Sequence, residues 1–173
     1  TVVPLWLLDQ TWVEGRRIVV LEPRRLATRA AARRMAALLG EPVGRTVGYQ
    51  TRDERMISGE TRIEVVTEGV LTRRLQHDPE LPGVAIVIFD EVHERNLPTD
   101  LGLALALDVR STVRPDLRLL AMSATPDSRR LTELLGAGGS GAKEPAPIVS
   151  SDGREHPVEV RSLPLAKGTR VEQ

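Results

Sequence analysis

The chain has 173 residues, enough for one well-buried domain, and its 40% hydrophobic and 28% charged residues are those of an ordinary globular protein. Its 24 basic and 24 acidic residues balance, so a nucleic-acid site can come only from local clusters of arginine. With 2% aromatic residues and no cysteine, the sequence excludes base stacking on aromatic platforms as the main mode of contact, and it excludes disulfides and thiolate metal sites.

The chain opens with an apolar run, Thr1 to Leu8, that predicts a helix with no strand or cap in front of it. In a P-loop protein such a helix follows the phosphate-binding motif G-x-x-x-x-G-K-[ST], and this motif occurs nowhere in the 173 residues. The first predicted strand, Ile18 to Leu21, runs into Glu22-Pro23-Arg24-Arg25. Proline suits the end of a strand or the start of a helix, so a helix is expected next.

This helix is predicted to continue to about Leu39. Its apolar spacing predicts one face that packs on the sheet, made of Ala27, Ala31, Met35 and Leu38. Arg29 and Arg33 are expected on the opposite, solvated face. Arg24 and Arg25 lie in the first turn, where backbone N–H groups and the helix dipole attract a phosphate.

The next predicted strands are Thr46 to Gln50 and Arg62 to Val66, with a charged turn from Thr51 to Glu60 between them. The second strand ends in Thr67-Glu68-Gly69 and leads into a helix from Val70 to about His77. A hydroxyl, a helix N-terminus and Arg73 one turn further predict a second phosphate-binding site. Glu68 suits capping this helix or pairing with Arg73 better than it suits contact with an anion.

The stretch Val84 to Arg95, V-A-I-V-I-F-D-E-V-H-E-R, has a buried-strand pattern that ends in two adjacent acids. In open α/β sheets, ligands bind at the carboxyl ends of the strands. Phosphoryl transfer needs one carboxylate for Mg²⁺ and a second group that orients the attacking water, and Asp90 and Glu91 can divide these tasks. A bare pair of acids is also typical of a solvated turn, but the apolar run before it favours a site.

Beyond these acids, Thr99 or Asp100 is expected to cap a helix that is apolar almost all round and therefore buried. A further strand is predicted from Leu117 to Met122, and Ser123-Ala124-Thr125 follows its end. The two hydroxyls can hydrogen-bond the acids, or they can cap the helix predicted from Asp127 to Leu135. The residues alone leave both interpretations open.

The composition shifts to glycine and proline between Gly136 and Pro147, which is typical of a flexible linker and predicts a domain boundary. Two short strands are predicted after it, Pro147 to Ser150 and Val158 to Leu163.

Four segments resemble the motifs of DEAH-box helicases, in the order of that family. D-E-V-H-E-R-N resembles motif II, the Walker B box, with Val92 in place of the alanine of the family name; E-P-R-R-L-A-T-R resembles motif Ia, T-E-G-V-L-T-R motif Ib and S-A-T motif III. Nearly the whole chain is similar to the first RecA-like domain of the bacterial HrpB-type helicases. The resemblance implies an α/β fold, with a mostly parallel sheet flanked by helices as in P-loop NTPases.

The resemblance implies an ATP-dependent RNA helicase with ATP and Mg²⁺ as cofactors. Asp90 would hold Mg²⁺ through water, Glu91 would orient the attacking water beside His93, and Thr1 would directly follow the Mg²⁺-binding hydroxyl. Nucleic-acid phosphates would be held by Arg24, Arg25, Thr67, Gly69 and Arg73. The state of the nucleotide would be relayed by His93, Arg95, Ser123 and Thr125.

The resemblance also implies a division into a first RecA-like domain (residues 1–135), a linker (136–147) and the start of a second helicase domain (148–173). The expected partners are the backbone of single-stranded RNA or DNA and the second RecA-like domain of the same parent chain. Without a P-loop, the 173 residues alone are expected to hydrolyse ATP negligibly. Since no signal peptide and no apolar run of membrane-spanning length occur, we expect a cytoplasmic protein without a membrane partner.

Two other functions remain compatible with the sequence. The chain can be a non-catalytic lobe that binds nucleic acid, or the ATPase lobe of a motor that is not a helicase. The second alternative leaves E-P-R-R and T-E-G without a purpose.

Overall fold

A computed structural model describes residues 2–124, 129–136 and 144–151. Its sheet has six strands: β1 Arg17–Leu21, β2 Val47–Gln50, β3 Arg55–Met56, β4 Ile63–Val66, β5 Val84–Phe89 and β6 Arg118–Ala121. Its helices are α1 Val3–Leu7, α2 Arg25–Leu38, α3 Glu68–His77, α4 Leu97–Thr112 and α5 Arg129–Gly136. Short 3-10 turns occupy Thr11–Val13 and Val92–Glu94.

The strand order is β3-β2-β4-β1-β5-β6, and every neighbouring pair is parallel except β2 and β3. Apolar side chains of α3, α4 and α5 pack on one face of the sheet, and those of α1 and α2 pack on the other. All six residues of β5 are buried, because both faces of this central strand are covered. The predicted α/β fold with a mostly parallel sheet is therefore confirmed.

The buried face of α2 differs from the predicted one. It consists of Thr28, Ala32, Met35 and Ala36. Leu38, which was expected to pack on the sheet, is 48% exposed. The expectation for Arg29 is also wrong, because its guanidinium forms an ion pair with Glu54 at 2.9 Å and is partly covered.

The helix α4 begins earlier than predicted, and Asn96 caps it instead of Thr99 or Asp100. The Asn96 side chain accepts a hydrogen bond of 2.8 Å from the backbone N–H of Thr99. One face of α4 is buried, whereas Leu97 is 80% exposed, so the prediction of burial all round is wrong.

Two further expectations about strands are wrong. The charged turn between β2 and β4 contains the edge strand β3, and the described residues 147–150 form no strand. The strand expected from Val158 to Leu163, the start of the helix expected at Asp127 and the residues Thr1 and Thr125 lie outside the described residues. Among the described helices, none is long and apolar enough to cross a membrane.

Candidate functional site

The carboxyl ends of four parallel strands meet at one edge of the sheet. Leu21, the last residue of β1, pairs with Val66 of β4 and with Phe89 of β5, and Phe89 pairs in turn with Ala121 of β6. The residues that follow these strands therefore lie side by side; they are Glu22, Thr67, Asp90 and Met122. The predicted meeting of the motif II acids with the end of β6 is found at this edge.

The two acids of motif II are separated by a change in backbone direction. Asp90 still follows the sheet, because its N–H donates to the carbonyl of Leu21 at 3.1 Å. Glu91 then adopts a left-handed conformation with φ of 54°, and its N–H donates to Oδ1 of Asp90 at 2.9 Å. A residue with a side chain rarely adopts this conformation, which costs about 1 kcal/mol or more. The strained backbone at Glu91 thus places the carboxylates of Asp90 and Glu91 in different environments.

Glu22 is an acid of this site that the sequence reasoning gave no role. It is 9% exposed, and burial together with the neighbouring carboxylates of Asp90 and Glu91 raises its pKa from 4.5 to about 7. A hydrogen bond to Asp90 contributes to the rise, so Glu22 keeps its proton until the pH approaches about 7. An acid directly after a buried strand was the signal in the sequence.

The raised pKa of Glu22 predicts a pH-dependent stability. Because the folded protein binds this proton more tightly than the unfolded chain, the stabilisation is complete below about pH 4.5 and is lost as the pH rises through about 7. Glu22→Gln keeps the shape, donates a hydrogen bond to Asp90 and does not titrate. In EDTA at about pH 8, urea unfolding should show Glu22→Gln more stable than the wild type by about 1–3 kcal/mol. At about pH 4.5 the difference should vanish, and an equal difference at both values would contradict the assignment.

His93 joins motif II to the segment after β6. The backbone N–H of Ala124 donates to Nδ1 of His93 at 3.3 Å, and the N–H of Val92 donates to the carbonyl of Met122 at 3.2 Å. Nδ1 of His93 also lies 3.4 Å from Oε2 of Glu91. The ring of His93 therefore lies between Glu91 and the segment after β6. Ser123 lies beside Ala124.

The arginines of motif Ia lie at the same edge and are bound to acids. Arg24 is the N-cap of α2, and its guanidinium forms an ion pair with Glu94, in the 3-10 turn after motif II. Arg25 forms an ion pair of 2.6 Å with Asp53. Both arginine side chains are more than half exposed, which leaves them accessible to a phosphate. The sequence predicted neither acidic partner, because Glu94 is 70 residues from Arg24 and Asp53 is 28 residues from Arg25.

The residues of motif Ib are divided between two places. Thr67 caps the backbone of α3 with its carbonyl, and Gly69 is exposed in the first turn of that helix. Arg73 lies one turn further and lines a cavity with Arg17, the first residue of β1. Glu68 forms no ion pair with Arg73, although the structure describes both side chains, and burial raises its pKa. Positions five apart lie on different sides of a helix.

Arg95, expected to take part in coupling, also adopts a left-handed conformation, with φ of 49°. Its guanidinium is 3.2 Å from a carboxylate oxygen of Asp100 in the first turn of α4. The acids and arginines that follow β5 therefore connect the motif II turn to both α2 and α4.

Oxygen ligands for a magnesium ion are few at this edge. Among residues 2–124, 129–136 and 144–151, no group of three or more His, Cys, Asp or Glu side chains is arranged to hold a metal ion. Magnesium that serves a nucleotide keeps several waters and needs only one or two carboxylates besides the phosphates. Asp90, with Glu22 and Glu91 beside it, fits this mode of binding.

Comparison with known proteins identifies the family of the chain. The model of the DEAD/DEAH box helicase family matches residues 1–134. The chain is 52% identical over 172 residues to the ATP-dependent RNA helicase HrpB of Escherichia coli (strain K12), covering 99% of this chain and 20% of that protein. It is 36% identical over 163 residues to a probable ATP-dependent RNA helicase, the DHX35 homolog of Caenorhabditis elegans, covering 92% of this chain and 22% of that protein.

A solved structure agrees with these matches. The crystal structure of the Escherichia coli DEAH/RHA helicase HrpB matches with a TM-score of 0.84 and 52% sequence identity, over 98% of this chain and 21% of that chain. The chain spans about a fifth of the length of the curated relatives it matches.

Proposed function

Because the chain belongs to the DEAD/DEAH box helicase family, we propose that it is the first RecA-like lobe of an ATP-dependent RNA helicase. The lobe would comprise residues 1–135, with a linker at 136–147 and the start of a second helicase domain at 148–173. The named activity of the two relatives supports this proposal. Because the chain spans about a fifth of the length of these relatives, we also propose, as a separate step, that a whole protein containing it unwinds RNA.

One observation carries the proposal. A single edge of the sheet holds Asp90 and Glu91, the contact between His93 and Ala124, and Arg24 at the start of α2. Acids suited to nucleotide hydrolysis and an arginine suited to a phosphate backbone are thus joined through one 3-10 turn. A movement of this turn when ATP binds would therefore change the position of Arg24, and binding of a phosphate backbone to Arg24 would in turn affect the acids.

The chemistry that the site supports is hydrolysis of ATP to ADP and phosphate. Asp90 would hold Mg²⁺ through water, and the ion would supply neutralisation of charge on the phosphates. By the family resemblance, Thr1 would directly follow a hydroxyl that also binds Mg²⁺. Glu91 orients a water towards the γ-phosphorus and accepts its proton as the new oxygen–phosphorus bond forms. The bond to the bridging oxygen breaks, and ADP leaves with that electron pair. His93, Ser123, Thr125 and Arg95 would transmit the change to the rest of the lobe.

The nucleic acid would be held through its backbone. Arg24, Arg25 and the first turn of α3 at Thr67 and Gly69 offer guanidinium and backbone N–H donors, which suit phosphate oxygens. Arg73 can reach the same strand or the cavity that it lines. Contacts of this kind carry no information about base sequence, and each loses affinity as salt rises. RNA is the proposed substrate because both relatives are named RNA helicases.

Substitutions at the Arg24–Glu94 ion pair should change RNA affinity in opposite directions. Arg24→Ala removes a phosphate ligand and should weaken binding, whereas Glu94→Gln frees Arg24 from a competing carboxylate and should tighten binding about two- to fivefold. Fluorescence anisotropy of a labelled single-stranded RNA with the 173-residue chain, at several salt concentrations, measures both effects. Replacing Arg24 and Arg25 together should reduce the salt slope by about 1.4, because each phosphate that an arginine neutralises accounts for about 0.7.

The matched control for Glu94→Gln is Glu60→Gln. It removes the same charge from an exposed acid that pairs with Arg45 in the turn before β4, at the opposite ends of the strands. Equal tightening by both variants would show a general charge effect and contradict the specific role of Glu94. Absence of RNA binding in every variant would contradict the proposed function itself.

A further inference from the structure

A cavity of about 570 Å³ lies beside α3. Its walls come from β2, β3, α3 and the first residues of β1 and β5. Seven polar residues line it: Arg17, Gln50, Arg55, Arg73, Arg74, His77 and Asp78. Arg17 is four residues from the carboxyl end of β1, or roughly 13 Å along the strand. Gln50, by contrast, ends β2, which lies three strands from β5, so the cavity lies to the side of Asp90 and shares Arg73 with the residues proposed for nucleic acid.

One wall of the cavity is built on a buried charge. Glu64, in the middle of the sheet, is fully buried, and both of its carboxylate oxygens accept hydrogen bonds from the guanidinium of Arg74, one of them at 2.9 Å. The same guanidinium donates to Oε1 of Gln50 at 2.6 Å. This leaves the amide N–H groups of Gln50 without a partner among the described residues. Arg74 and Gln50 are thus held in place as donors at the wall.

The buried Glu64 calls for an explanation because ion pairs of this kind contribute little to stability. Removing two charges from water costs several kcal/mol for each ion, and a well-packed apolar pair often serves a fold equally well. None of the chemistry proposed for Asp90 and Glu91 uses Glu64. Its identifiable effect is to fix a guanidinium at the cavity, which is the kind of support that a binding site needs.

The other arginines leave the cavity positively charged. Arg17, Arg55 and Arg73 form no ion pair with any described acid, and the lining contains a single acid, Asp78. Nδ1 of His77 lies 2.9 Å from the carbonyl oxygen of Arg73, and His77 lines the cavity beside Asp78. In a chain with a net charge of zero, this concentration of guanidinium groups stands out.

We propose that this cavity binds the phosphate groups of a small phosphorylated molecule of about the size of a mononucleotide. Guanidinium groups suit phosphate oxygens, and the volume is within the range of small-molecule sites. The apolar part of the lining, Ile57, Val70, Leu81, Pro82 and Val84, gives a base or another uncharged portion a surface to pack on. A concave site between a helix and two strand ends suits a compact ligand better than a continuous strand of nucleic acid.

The test is isothermal titration of the 173-residue chain with inorganic pyrophosphate and with AMP. EDTA in the buffer removes any contribution from a metal at Asp90. We expect one binding site for pyrophosphate. Arg55→Ala and Arg17→Ala, each at an exposed side chain, should weaken binding about tenfold or more, since each removes a charge-assisted contact. The control Arg34→Ala, at an exposed arginine of α2, should leave the affinity unchanged.

Three results would overturn the proposal. These are no detectable binding of either ligand, equal binding by wild type and Arg55→Ala, and loss of binding in Arg24→Ala, which would place the anion at the carboxyl edge. Displacement of pyrophosphate by a single-stranded RNA without terminal phosphates, with the same sensitivity to Arg55→Ala, would instead assign the cavity to nucleic acid. Unchanged circular dichroism of both arginine variants shows that any loss of binding is not a loss of folding.

Discussion

Replacing Glu91 by glutamine should reduce ATP turnover by about 10²- to 10⁴-fold, the range for loss of a positioned general base. The amide has the size of the carboxylate and keeps the left-handed backbone, but it cannot accept a proton from water. Asp90 is unchanged, so nucleotide affinity should change only a few fold. The measurement is steady-state phosphate release by a longer protein in which a strand and G-x-x-x-x-G-K-[ST] precede Thr1 and a second RecA-like domain follows Gln173.

Glu94→Gln is the matched control for this prediction. Glu94 belongs to the same 3-10 turn and loses the same charge, but its carboxylate pairs with Arg24 and not with Asp90 or His93. Turnover at saturating ATP should stay within a few fold of the wild type. A protein with Glu91→Gln that kept its turnover would show that another group activates the water.

Replacing Arg74 by methionine should destabilise the fold by about 3–5 kcal/mol, because the fully buried carboxylate of Glu64 then loses its counter-charge. Gln50, on the neighbouring strand β2, does not replace Arg74 as a partner of Glu64, because it contributes an acceptor oxygen to this network and carries no charge. Urea unfolding followed by circular dichroism measures the change. The control Arg33→Ala, at an exposed arginine of α2, should stay within about 0.5 kcal/mol of the wild type.

The double variant Glu64→Leu with Arg74→Met distinguishes a buried charge from impaired packing. It should recover most of the stability that Arg74→Met removes, since no charge remains without a partner. Glu64→Leu alone should cost less than Arg74→Met, because the guanidinium of Arg74 is 26% exposed and can reach water. Equal and additive losses in the two single variants would contradict the role of the ion pair.

The sequence was sufficient for the parts of the fold that depend on local patterns. The apolar run of β5 predicted a strand buried on both faces, and Asp90 and Glu91 follow the end of that strand. Because parallel strands present their carboxyl ends at one edge, the predicted strand ends placed Asp90 next to the segment after β6. The family resemblance and this geometry agree.

Features that depend on contacts between distant segments could not be predicted. The edge strand β3 consists of an exposed arginine and methionine, without any strand pattern. It lies against β2 because Gly48 has no side chain; a Cβ there would be 2.3 Å from the carbonyl oxygen of Met56. The hydroxyl of Tyr49 adds a hydrogen bond of 2.9 Å to Glu54. None of these contacts leaves a periodic signal in the sequence.

The ion pairs of the site were missed for the same reason. The sequence predicted Arg24 and Arg25 as phosphate ligands, but it contains no signal that Glu94 and Asp53 would lie beside them. The fully buried Glu64 resembles any other acid in a strand until Arg74 is seen next to it. Likewise, the raised pKa of Glu22 depends in part on Asp90, which follows the neighbouring strand.

The dependence of ATP turnover on RNA tests the central claim most directly. In the longer protein, a single-stranded RNA of any base sequence should stimulate phosphate release. Arg24→Ala should raise the RNA concentration needed for this stimulation, and Glu91→Gln should abolish the stimulation. Turnover that is the same with and without RNA would contradict the account and favour an ATPase lobe that does not serve a helicase. RNA binding without any turnover would leave a lobe that only binds nucleic acid.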